Sequence, residues 1–131
     1  MKLLISILTL ISLSTCENNQ ERNLISSNWE VIEVGGIEEF EKSPNMRIDV
    51  ENNRVNGYAG CNQFFGDLSI ETNKISFGNV GSTRMMCPDM TLEDAFFAAI
   101  GKISAYKFDH DHLLFLGDNN DALMTLKPLK Q

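Results

Sequence analysis

At 131 residues the chain is long enough for one domain and too short for two. A formal net charge of −7 and a pI near 4.7 give a surface that repels phosphate backbones, which argues against nucleic-acid binding. The same sign opposes purely electrostatic docking on anionic membranes.

The chain opens on "MKLLISILTLISLSTC", with one cation at Lys2 and an apolar run over residues 3–13. That length suits the hydrophobic region of an export signal and is short for a bilayer span. The run closes on "LSTC", which resembles a bacterial lipobox ending on Cys16. The resemblance implies cleavage before Cys16 and acylation of that cysteine; a plain secretory signal with an incidental Cys16 is the alternative. Several acyl chains anchor stably because each buried CH₂ contributes about 0.8 kcal/mol. The expected organisation is a lipoprotein signal peptide over 1–15, a polar tether over 16–23 and a domain over 24–131. No Asp follows Cys16, so the resemblance to enterobacterial lipoproteins implies the outer membrane rather than retention in the inner one.

Residues 28–34, "NWEVIEV", are β-branched and aromatic and predict a first strand. Gly35, Gly36 and Pro44 interrupt it. "MRIDVE" over 46–51 alternates, with Met46, Ile48 and Val50 on one face, as in a half-buried strand. After the Asn52–Asn53 turn comes an irregular glycine-rich strand over 54–62. "FFGDLSIE" over 64–71 alternates again, with Phe64, Leu68 and Ile70 together. "KISFGNV" over 74–80 is a further strand. A helix is predicted over 91–105, with Leu92, Phe96, Ala99, Ile100 and Ile103 at helical spacing. Thr91 and Asp94 have the spacing of a capping box. Three apolar runs, 105–109, 112–117 and 122–128, then read as hairpins. The fold class is mostly β (α+β): a small barrel or strongly curved antiparallel sheet of about seven or eight strands, with one helix packed across it.

With Cys16 committed to lipid, Cys61 and Cys87 remain. An exported compartment permits their disulfide; two buried free thiols are the alternative. Catalysis by Cys61 would need a base and an oxyanion hole. The only histidines, His110 and His112, lie in "DHDH", which reads as a solvated turn with too few ligands for a metal site. "DNND" over 118–121 lacks the glycine and the bidentate Glu of a calcium loop and also reads as a turn. No metal, cofactor or enzymatic activity is therefore expected. The glycines Gly57, Gly60 and Gly66 suit bends, and Asn62 suits tying one. Alternatively Asn62, Thr83 and Arg84 form a polar recognition site, with Arg84 pairing Glu93 or Asp94 or standing free. The aromatic and Met set of Phe64, Phe77, Met85, Met86, Phe96, Tyr106 and Phe108 reads as core, or as the lining of an apolar cavity in an incompletely filled barrel.

"GYAGCNQFFGDL" followed by "STRMMC" resembles the META domain, also called HslJ-like after a bacterial heat-shock lipoprotein. The residues that carry the resemblance are Trp29, Gly57, Gly60, Cys61, Asn62, Phe64, Gly66, Thr83, Arg84, Met85, Cys87 and Glu93. It implies a lipocalin-like barrel with one helix and no general enzymatic activity. The function that it suggests is a binding or stress-support module of the cell envelope, monomeric, attached to the membrane through its lipid and partnered by another envelope protein. Carriage of a lipid or small apolar ligand inside the barrel is the alternative.

Overall fold

The computed structural model describes residues 24–130; the signal region, Cys16 and the tether lie outside the described residues. Alternation of apolar and polar side chains decides the architecture. Eight strands, β1 (Ser27–Val34), β2 (Asn45–Asp49), β3 (Arg54–Tyr58), β4 (Gln63–Glu71), β5 (Lys74–Ser82), β6 (Ala105–Asp109), β7 (His112–Leu116) and β8 (Ala122–Pro128), form a closed antiparallel barrel in sequence order. Each strand has one apolar face, and closing the ring turns all of these faces inward. Met46 and Ile48 of β2, Phe64 and Leu68 of β4, Leu113 and Phe115 of β7, and Met124 and Leu126 of β8 are buried in one cluster. An eight-stranded barrel is just wide enough for such side chains to fill it.

The ring closes firmly on one side. β1 and β8 pair from Trp29↔Pro128 to Val34↔Met124. On the other side β5 and β6 share a single pair, Lys74↔Ala105. Where they part, the chain inserts its helix, α1 (Thr91–Ile100). Phe96 of α1 is fully buried, with its ring 5.0 Å from that of Phe64. The helix thus lies across one end of the barrel, with Ala95 beside Gly35 after β1 and Leu92 beside Gly60 after β3, and adds Phe96 to the core.

The expected strands are present with edges moved by one or a few residues. The third ends at Tyr58, because the chain bends through Ala59–Asn62. The helix is shorter than expected. It stops at Ile100, and Gly101 donates to Phe97 O while Lys102 and Ile103 both donate to Ala99 O, so the chain tightens and turns into β6. The capping box does not form, because Thr91 is already inside the helix. Instead Asp89 Oδ1 accepts the Thr91 N–H at 2.9 Å. Hydrogen bonds from the Thr91 side chain and then its backbone hold the Asp89 carboxyl below its ordinary range.

Both acidic runs at the barrel rim are turns. "DHDH" makes the β6–β7 hairpin, with Asp109 opposite His112 and His110 at φ 55°. "DNND" is closed by Gly117 N–H to Asp121 O at 3.0 Å. The domain is entered at Leu24, which is buried. Its N–H donates to Tyr106 Oη at 3.3 Å, and that hydroxyl donates to Thr72 O, on the β4–β5 turn, at 2.9 Å.

Candidate functional site

Two glycines allow the "GYAGCN" segment to lie where it does. A Cβ on Gly57 would strike the Asn45 carbonyl oxygen of neighbouring β2, which is backbone and cannot move aside. Gly60 sits at φ +124°, and a Cβ there would fall 3.1 Å from Leu92 Cγ and 3.2 Å from Glu93 N. The bend after β3 is therefore pressed against the first turn of α1. Tyr58 Oη donates to Gly60 O at 2.7 Å and holds it there.

Asn62, the last residue of the bend, ties it to its neighbours. It and Glu93 are the two buried polar side chains among the described residues, 3% and 5% exposed. An asparagine amide has two donor hydrogens and two acceptor lone pairs, and here all are used. Nδ2 donates to Glu93 Oε2 at 2.8 Å and to Met85 O at 3.1 Å. Oδ1 accepts from Thr83 Oγ1 at 2.9 Å and from Met85 N–H at 2.6 Å. The flipped amide would set oxygen against the Glu93 carboxylate and the Met85 carbonyl, so the network fixes its orientation. The Asn62 backbone N–H donates to Glu93 Oε1 at 2.6 Å, and its carbonyl accepts the Ala59 N–H at 2.9 Å. Thr83 Oγ1 in turn accepts the Gln63 N–H at 3.1 Å.

Cys61 and Cys87 are bonded as a disulfide across 26 residues. Three segments far apart in sequence thus meet in one clamp: the bend after β3, the loop after β5, and the start of α1. Phe64 continues it into the core against Phe96 and Phe97. Gly66 lies in β4 opposite Val55, beside the bulge of β5. Trp29 belongs to another part of the barrel, where its Nε1–H donates to Ser27 Oγ at 2.7 Å and its ring meets Phe108.

The alternative reading, a polar recognition site of Asn62, Thr83 and Arg84, therefore divides. Asn62 is buried and Thr83 lies at the surface beside it, and both spend their side-chain hydrogen bonds within the clamp. Arg84 is exposed and forms no ion pair among the described residues. Of its two expected partners, Glu93 is buried against Asn62 and Asp94 makes no ion pair with it, which leaves the alternative of a surface arginine. The placement of Met85 and Met86 in the core is also overturned: they are 57% and 85% exposed. Both Met85 backbone groups are held by Asn62, which leaves its side chain outside. Mild peroxide treatment followed by peptide mass mapping should oxidise Met86 and Met85 ahead of Met46 and Met124, each 1% exposed. Equal oxidation of all four would contradict the loop's placement.

The role of Glu93 was open to sequence reasoning. It shares a helical stripe with Phe96 and Ile100, the inward face of α1. A carboxylate on such a stripe needs a buried donor, and it also suits the positive end of the helix.

Residues 22–130 match the family model of the META domain. Among solved structures, an NMR structure of a protein from Burkholderia xenovorans aligns with a TM-score of 0.66 at 20% identity, covering 82% of this chain and 85% of that one. A second NMR structure aligns with a TM-score of 0.63 at 17% identity, covering 80% and 91%. At these identities the likeness is one of fold. No curated protein matches the chain. A family match that spans the whole described domain makes this chain a member of the META domain family.

Proposed function

We propose that the protein is a non-enzymatic binding module of the bacterial cell envelope, anchored by a lipid on Cys16 and serving as a stress-support component there. The observation that carries this reading is how the signature residues are spent. Cys61 has no thiol to offer while bridged to Cys87, and the polar groups of Asn62 and Glu93 bind one another. A nucleophile, base or metal ligand would need a group left over. In this reading the protein works as a monomer, needs no cofactor and meets another envelope protein through its surface.

The carrier alternative is less well supported, because Phe64, Phe96, Phe115, Met46 and Met124 occupy the barrel interior. Among the described residues an open cleft of about 480 Å³ lies between β5 and α1, lined by Phe77, Val80, Phe97 and Ile100.

Anchoring has a direct test. Cys16→Ala should abolish incorporation of labelled palmitate and move the protein from the membrane to the soluble fraction. Acylation that persists in the variant would sink the anchor.

A further inference from the structure

We propose that the loop "TRMMC", residues 83–87, is a rigid docking knob for an envelope protein that offers an apolar pocket edged by a carboxylate. The proposal deepens the binding-module reading and rests on it. The loop's Thr83 and Cys87 have a structural account in their bonds to Asn62, Gln63 and Cys61. The side chains of Arg84, Met85 and Met86 do not. A connection between a strand and a helix has no need of two exposed methionines, which cost solubility and give no stability in return.

The loop is already held in shape. Thr83 N–H donates to Gln63 O at 3.0 Å, Met85 is tied at both N–H and C=O to Asn62, and Cys87 is bridged to Cys61. Apolar side chains on fixed backbone lose little further freedom on binding, which is the condition for an efficient anchor. Methionine also adapts to pockets of varied shape. Phe65 enlarges the patch: it is 56% exposed, on the same outward face of β4 as Gln63, and its ring lies over Gly81. Gly81 also borders the cleft beside α1.

Charge and direction select the partner. Arg84 is an exposed cation with no ion pair among the described residues, in a chain of net charge −7, so the group it lacks is an anion on the other molecule. The loop lies at the Gln63 end of β4, whereas Leu24 enters at the Thr72 end. The eight residue steps of β4 separate the two by about 26 Å. A domain tethered through its N-terminus turns this loop away from the bilayer, toward protein.

The test uses the lipidated protein in phosphatidylethanolamine–phosphatidylglycerol nanodiscs, panned with phage-displayed random peptides of about a dozen residues. Enriched peptides should combine aromatic or aliphatic residues with Asp or Glu. They should bind Arg84→Glu and Met86→Ser at least about tenfold more weakly, a loss of about 1.4 kcal/mol. Both variants change exposed side chains and should keep the wild-type melting temperature. Peptides that bind both variants as they bind wild type would overturn the knob and leave the binding-module reading standing. Failure to enrich any peptide would remove both. Vesicle cosedimentation of the Cys16→Ala chain that is lost on adding Met86→Ser would assign the patch to the bilayer instead.

Discussion

Asn62→Ala should lower the unfolding free energy by about 3–5 kcal/mol, measured by urea denaturation at neutral pH. The substitution removes an amide but leaves its partners behind. Glu93 Oε2, Met85 N–H, Met85 O and the Thr83 hydroxyl each lose a hydrogen bond together. A buried polar group left unpaired costs about 1–3 kcal/mol. Partial exposure at Thr83 and Met85 lets water recover some of the loss, which keeps the total below the sum of four such costs. Such a loss is a large fraction of the roughly 5–15 kcal/mol that holds a domain of this size. Glu93→Gln separates shape from charge. It keeps one acceptor oxygen but turns an amide nitrogen toward an Asn62 donor, and should cost about 2–3 kcal/mol. Asn62→Ala with less than about 1 kcal/mol of effect would mean that the clamp does not support the fold.

Breaking the disulfide should cost nearly as much. For a closed loop of 26 residues the chain-entropy relation gives about 3.5 kcal/mol. Cys61→Ala with Cys87→Ala, or reductant added to wild type, should move the urea midpoint down accordingly. Two thiols titrating after unfolding without reductant would reject the bridge in the isolated protein. The bridge and Asn62 hold the same loop to the same bend, so their effects should not add. Once one is gone, the loop is freer and the other holds less. A triple variant whose loss equals the sum of the parts would show the two acting independently.

Much of the barrel was legible because β2 and β4 alternate without interruption. Met46, Ile48, Phe64 and Leu68 lie inside, as the period of two requires. With Cys16 set aside, Cys61 and Cys87 had only each other as an intramolecular partner, while free thiols stayed the alternative until the structure bridged them. What was not legible depends on contacts between distant segments. Nothing local tells Met85 and Met86 from core methionines; only the capture of Met85's backbone by Asn62, 23 residues earlier, turns the side chain out. The helix end was misplaced because Ile103 continues the apolar spacing although it is buried by the turn into β6. The capping box failed for a similar reason: its sequence is present, but the helix starts one residue too early for it to act.

The single pair between β5 and β6 matters for how the molecule behaves among its copies. A nine-residue strand with so short a ladder on one side carries backbone donors and acceptors much as an open sheet does. Such margins recruit strands from other molecules and seed aggregation. Two features blunt this one. The β4–β5 register shifts where Asn79 takes φ 49°, which breaks the straight run an incoming strand would follow, and Asn79 Nδ2 donates to Asp67 Oδ2 at 2.8 Å to keep it so. The helix flanks the remainder across a cleft, which Phe97 and Ile100 line together with Phe77 and Val80. α1 therefore guards solubility as well as completing the core, and variants that loosen its start at Glu93 should be read for self-association as much as for stability.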